Sequence, residues 1–158
     1  MRQQRLQDRL EGMSVEDLPA VLTIERSCHA FPWRARVLLD CLNIGHVCHV
    51  LKREQWLLAY GIMSIGADEC HILNLCVRKE VQGQGLGMAM LIDLLQAARA
   101  VSVHTAFLEV RRSNTIAQAL YTKIGFNEIS VRQGYYATIK GREDAIVMAK
   151  ELTIFTIA

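Results

Sequence analysis

Residues 82–87, QGQGLG, stand between an alternating apolar run and a stretch whose apolar residues recur at helical spacing. No other segment narrows the possible folds as much. A strand that turns through glycines straight into a helix exposes the unpaired N–H groups of the first helical turn, which carry about half a positive charge. Glycines at 83, 85 and 87 let the backbone turn sharply and approach an anion with no Cβ in the way. The segment therefore reads as a loop for a pyrophosphate or similar group, with an unliganded strand-to-helix turn as the plainer alternative. Two nucleotide-binding patterns fail. G-x-G-x-x-G needs another spacing, and an NTPase loop ends in Gly-Lys-Ser or Gly-Lys-Thr where this chain has Gly87 and Met88.

The rest of the chain supplies a frame for this loop. Asp17 suits an N-cap, with Pro19 in the first turn, and Leu18, Val21, Leu22 and Glu25 mark one face of a helix to about Ser27. Pro32 breaks the chain before a short helix over 36–42. The period then changes to two over 46–52, 56–65 and 70–77, three strands of an antiparallel meander separated by KREQ and GADE. A helix follows the loop from Met88 to about Val101, then a strand over 105–111. A helix capped by Ser113 or Asn114 runs through Lys123 to a left-handed Gly125, and strands over 126–132 and 143–150 close the chain. Strand, loop, helix and strand make one βαβ crossover in an otherwise antiparallel sheet, an α+β architecture. Residues 1–158 read as one domain, with 1–13 a loosely held extension and 153–158 a tail without a clear role.

Composition removes several classes. At 158 residues, 51% hydrophobic and with two prolines, the chain is no disordered segment. Eighteen Lys and Arg against 16 Asp and Glu leave a net charge of +2, so no direct binding of nucleic acid is expected. The longest uncharged apolar stretch, 56–67, falls short of the ~20 residues of a membrane span. The N-terminus has arginines but no apolar core after them, so no secretory leader is read there and a cytoplasmic location is expected. Five cysteines, Cys28, Cys41, Cys48, Cys70 and Cys76, form no C-x-x-C pair, which suits a reducing compartment. In HVCHV a strand period turns His46 and Cys48 to one side and His49 to the other, so no metal is expected.

What the loop does match is Q-x-x-G-x-G, given by Gln82, Gly85 and Gly87 after Leu75, Cys76 and Val77. Here the chain resembles the GNAT family, the Gcn5-related N-acetyltransferases, over about residues 14–152. The resemblance implies a mixed, mostly antiparallel sheet with helices on both faces, and acetyl-CoA as co-substrate. It also implies that the amides of Gly83, Gln84, Gly85, Leu86, Gly87 and Met88, with Gln82, hold the CoA pyrophosphate. The pantetheine arm would pair with Leu75, Cys76 and Val77. Gly83 and Met88 depart from the family, which often has Arg after the Gln and a basic residue after the last Gly. Because backbone amides do most of the holding, weaker CoA binding is the expected result.

LEVR, a Ser-Asn pair, ALY and GF within 108–126 resemble the N-terminal acetyltransferases. With HAFPW, RQGYY and GREDAIVM, the closer likeness is to the RimI-like branch, bacterial enzymes that acetylate the N-terminal alanine of a small-subunit ribosomal protein. That branch implies Glu109 as base, Tyr121 as acid and Asn114 as a CoA contact, with the N-terminus of such a ribosomal protein as partner.

The residues make chemical sense by themselves. Acetyl transfer needs a neutral amine, a site for the oxyanion and a proton for the thiolate. Glu109 lies among Phe107, Leu108 and Val110, where desolvation favours a base; a solvated edge residue is the ordinary alternative. Tyr121 sits seven residues beyond Asn114 on about the same helix face; a core aromatic is its ordinary alternative. At pH 7, deprotonating an α-amine of pKa about 8 costs roughly 1.4 kcal/mol, against roughly 4.6 for a lysine. The α-amine is the less demanding acceptor. Phe31 and Trp33, stiffened by Pro32, and Tyr135 are candidate walls for the acceptor, or else packing residues. Other protein N-termini or a small amine would suit the same groups, and a non-catalytic acetyl-CoA-binding module is the alternative outside enzymes. Cys76 lacks an evident base, so no acyl-enzyme is expected.

Overall fold

Backbone pairing joins seven strands into one sheet in the computed structural model, which describes residues 7–152. In chain order the elements are β1 (Asp8–Gly12), α1 (Leu18–Cys28), α2 (Ala35–Ile44), β2 (Val47–Arg53), β3 (Trp56–Gly66) and β4 (Glu69–Val77). There follow α3 (Leu86–Ala100), β5 (Thr105–Arg111), α4 (Thr115–Ile124), β6 (Asn127–Thr138) and β7 (Gly141–Glu151). The strand order is β1-β2-β3-β4-β5-β7-β6, antiparallel except for β4 and β5, which α3 connects. The α+β expectation with a single βαβ crossover holds. So does the placing of helices on both faces. Leu18, Val21 and Ile24 of α1 and Leu38 and Cys41 of α2 pack with Val50, Tyr60 and Ile62. On the other face Met90, Leu91, Leu94 and Leu95 of α3 and Tyr121 of α4 pack with Met63, Ile72 and Leu108.

Two local features bring the layers together. α3 packs close over Gly61: a Cβ there would lie 2.7 Å from Leu94 Cδ1. In β4 the pairing with β3 shifts by one, Asn74 opposite Ile62 but Ile72 opposite Met63, so Leu73 is a bulge with no partner. The bulge swaps the faces. Cys70 and Ile72 lie on the α3 side, whereas Cys76, still at even spacing, lies on the α1 side.

Several sequence boundaries need correction. Residues 8–12 are not loosely held: they form β1, along β2. Their side chains are all exposed, so no apolar alternation announces the strand; backbone pairing and the ion pairs Arg53–Asp8 (2.7 Å) and Lys52–Glu11 (3.0 Å) hold it. Charged residues also suit an edge. Asp17 does not cap α1 with its side chain. Its Oδ2 accepts from Ser14 N (2.9 Å) and Oγ (3.2 Å), and Lys52 Nζ lies 2.7 Å from its Oδ1. α3 begins at Leu86, not Met88, because Gly85 in left-handed conformation already serves as its N-cap. β6 and β7 run on into a hairpin with Thr138 opposite Gly141; the register shifts between Glu128 and Ser130 and again between Arg132 and Tyr136, where Gln133, Gly134 and Tyr135 bulge out and pairing resumes beyond them. Leu152 is buried, its N–H bonded to His104 O (2.7 Å); the tail 153–158 lies outside the described residues. No helix among the described residues is long and apolar enough to cross a membrane.

Candidate active site

The parallel pairing of β4 with β5 stops at Ile72 opposite Leu108, although both strands continue. Beyond that point, among the described residues, β5 pairs only with β7, and the side of β4 facing it from Leu73 to Val77 has no strand partner. The divergence opens a cavity of about 360 Å³. Leu73, Asn74 and Leu75 line it from β4 and Glu109, Val110 and Arg111 from β5. Asn114 and Tyr121 face it from α4 and its cap, Tyr135, Tyr136 and Ala137 from β6. Glu25, His29, Phe31 and Trp33 close it from α1 and the connection to α2.

Glu109 and Tyr121 therefore meet in one cavity, from different elements. The Glu109 side chain is 18% exposed, with Arg132 Nε 3.2 Å from its Oε1. The charge of Glu109 and a hydrogen bond to it push the Tyr135 hydroxyl up from its ordinary range. Tyr121 packs edge-on against Phe126 and is buried, which pushes its hydroxyl up to about 12; burial raises Tyr136 to about 12 as well. Asn114 Oδ1 accepts from Ala117 N (3.1 Å), capping α4. Phe31, Trp33 and Tyr135 all line the cavity.

The loop lies at the same end of β4 but outside this cavity lining. Gly83 and Gly85 have φ of +77° and +82°, the left-handed region glycine tolerates best. The first bond within α3 is from Ala89 N to Gly85 O, so the amides of Leu86, Gly87 and Met88 precede the helical ladder. A Cβ on Gly87 would meet Val77 and Leu120 only at ordinary contact distance. The Gln82 amide is spent inside the protein, donating to Val77 O (3.0 Å). Leu75 lines the cavity, while Cys76 is buried on the opposite face of the sheet. Burial pushes the Cys76 thiol well above its usual range, which disfavours a nucleophilic thiolate.

Sequence reasoning missed the carboxylate of Glu25. It is buried, accepting from Trp33 N at Oε1 (3.0 Å) and from Tyr60 Oη and Asn74 Nδ2 (3.0 Å) at Oε2. A charged residue on the apolar face of α1 was the available signal. It also missed Arg111, whose Nη1 donates to Ala137 O (2.8 Å) and Glu143 Oε1 (2.9 Å) while its guanidinium lies 4.5 Å from the Tyr136 ring centre. Of the HVCHV segment, Cys48 is buried in the α1 face and His49 reaches Asp93 on α3 at 2.5 Å.

Comparison with known proteins places this geometry in company. Residues 18–126 match the model of the acetyltransferase (GNAT) family. The chain is 37% identical over 145 residues to the [ribosomal protein bS18]-alanine N-acetyltransferase of Escherichia coli K12, covering 92% of this chain and 98% of that one. A crystal structure of the E. coli ribosomal-protein-S18-alanine N-acetyltransferase superposes with a TM-score of 0.89 at 36% identity, over 96% of this chain and 97% of that chain. Arabidopsis thaliana NAA60, solved in complex with acetyl-CoA, shares the fold at a TM-score of 0.83 and 16% identity, over 92% and 99% of the two chains.

Proposed function

The chain belongs to the acetyltransferase (GNAT) family, and from that premise we propose that it acetylates the N-terminal alanine of a small-subunit ribosomal protein, with acetyl-CoA as donor. The observation that carries the reading is a single cavity, at the divergence of β4 and β5, lined by both Glu109 and Tyr121. The unpaired edge of β4 suits the peptide-like arm of CoA. The glycine loop, with the free amides of Leu86, Gly87 and Met88, suits its pyrophosphate. Of the other residues assigned to the donor, Gln82 shapes the loop from within and Asn114 holds the start of α4.

In the proposed reaction Glu109 takes a proton from the acceptor's α-ammonium, and the freed amine attacks the thioester carbonyl. The bulge at Leu73 leaves backbone polar groups outside the β3 ladder beside the cavity, where an N–H suits the developing oxyanion. Tyr121 donates to the departing sulfur. Phe31, Trp33 and Tyr135 wall the space for the first acceptor residues. Direct attack requires no nucleophile from the protein, in keeping with the buried Cys76.

CoA release with two peptides of one sequence tests this. One has a free N-terminal alanine and a blocked lysine, the other a blocked N-terminus and a free lysine. Turnover with the first alone is expected; turnover with the second alone would overturn the α-amine assignment. Glu109→Gln is expected to lower kcat by about 100-fold or more while acetyl-CoA binding persists.

A further inference from the structure

Two side chains of β7 take the place of ladder bonds at the second bulge of β6. Arg132 pairs with Ala145 and Tyr136 with Glu143, so Gln133, Gly134 and Tyr135 stand opposite Asp144 alone. Asp144 Oδ1 accepts from Gly134 N (2.9 Å). Arg142 donates from Nε to Gly134 O (2.5 Å) and from Nη2 to Tyr135 O (3.1 Å). Asp144 is fastened in turn to the end of β5: its backbone oxygen accepts from Arg112 N (3.1 Å), and Arg112 Nε lies 3.5 Å from its Oδ2. A stretch that leaves its ladder keeps one conformation only if other groups satisfy its backbone, and here two side chains do so at three points.

The bulge decides what faces the cavity. In a regular strand neighbouring side chains point to opposite faces. Tyr135 and Tyr136 nevertheless both line the cavity, their ring centres 5.0 Å apart and their planes at 80°. Each ring meets a guanidinium. Arg132 lies 5.4 Å from the Tyr135 ring centre, with its Nε 3.2 Å from Glu109 Oε1, and Arg111 lies 4.5 Å from the ring centre of Tyr136. We propose that Asp144 and Arg142 are positioning residues for acetyl transfer, fixing the bulge so that Tyr135 stands beside Glu109 as a wall for the incoming acceptor. Neither lines the cavity itself. This deepens the proposed function and rests on it. The consequence is that use of the acceptor, and not of acetyl-CoA, depends on these two side chains of β7.

The test measures acetylation of a short N-terminal-alanine peptide, with calorimetric titration of acetyl-CoA and thermal melts, for the wild type, Asp144→Ala, Asp144→Asn, Arg142→Ala and Tyr135→Ala. Asp144→Ala is expected to lower kcat/KM for the peptide about 10-fold or more, while acetyl-CoA affinity keeps its wild-type value. Asp144→Asn, whose amide oxygen still accepts from Gly134 N, should stay within about 3-fold of the wild type. Because Asp144 acts through the bulge, adding Asp144→Ala to Tyr135→Ala should cost little more, a pattern that a general loss of stability does not produce. Arg142→Ala, at an exposed position, reads the same loss if Asp144→Ala does not fold. Wild-type kcat/KM in folded Asp144→Ala or Arg142→Ala, losses that multiply in the double variant, or an equal fall in acetyl-CoA affinity would overturn this inference alone. No wild-type turnover on the peptide would overturn the function itself, and the inference with it.

Discussion

Tyr121 keeps its proton throughout the working pH range, because burial pushes its hydroxyl up to about 12. That value bears on how it acts. Full transfer to a free thiolate whose thiol has a pKa of about 8.5 is uphill by roughly 5 kcal/mol. In the proposed reaction Tyr121 therefore works chiefly as a hydrogen-bond donor to the sulfur, giving up its proton only as the acceptor nitrogen sheds one. Tyr121→Phe is expected to lower kcat by about 100-fold with KM for both substrates little changed. Wild-type kcat should show no alkaline loss traceable to this hydroxyl between pH 7 and 10. Steady-state kinetics over that range check both points, and a Phe variant with wild-type kcat would remove Tyr121 from the chemistry. Glu25 makes a different point at this scale. Its partners come from α1's own C-terminal connection, β3 and β4, so one carboxylate ties the Trp33 wall of the cavity to the strand floor.

Among the elements, the turn from β4 into α3 separates two uses of glycine. Gly85 has open space around its missing Cβ but a φ of +82°, so alanine there is opposed by backbone strain alone, about 1–2 kcal/mol. Gly87 is helical and a methyl group fits, at 3.5 Å from Leu120 and 3.6 Å from Val77. Gly85→Ala should lower stability and weaken acetyl-CoA binding together. Gly87→Ala should leave stability unchanged or slightly raised but weaken binding about tenfold, since the methyl stands beside the free amides. Denaturant melts paired with calorimetric titration of CoA separate the two effects. Equal binding by Gly87→Ala and the wild type would move the pyrophosphate away from this turn. The bulge at Leu73 is the second feature of this scale: it turns Asn74 toward Glu25 and Cys76 away from the cleft.

For the whole molecule, the N-terminal edge contributes stability through charge. Burial alone would raise the Asp17 carboxyl, but the Lys52 ammonium and the hydrogen bonds from Ser14 outweigh it and hold the group below the usual carboxylate range. A carboxyl depressed in the folded state contributes stability that is complete above its unfolded pKa of about 3.9 and disappears as pH falls through the lower folded value. Asp17→Asn should therefore cost about 2 kcal/mol at pH 7, a drop in Tm of about 4–8 °C for a chain this long. The gap from wild type should close below about pH 4. Thermal melts from pH 7 to 3 measure it, and a gap independent of pH would mean that packing, not charge, is lost.

Local chemistry made much of this protein legible from sequence. Apart from β1 and the last six residues of β6, apolar period and turn residues located the strands and helices to within a few residues. The glycines after β4 announced the sharp turn into α3 and so the candidate anion loop, because its requirements are backbone conformation and the end of a helix. Glu109, Tyr121, Phe31, Trp33 and Tyr135 were legible as candidates through their motifs. That they line one cavity was decided by the divergence of β4 from β5, which depends on pairing between residues more than 30 positions apart. β1 was invisible because its partner, not its own pattern, makes it a strand. The bulge at Leu73 and the buried network of Glu25 were hidden for the same reason: face and burial follow from what packs against a residue. The sequence by itself determined which groups are present and which local shapes they take; the tertiary structure alone decided which of them meet, because register and burial are set by contacts distant along the chain.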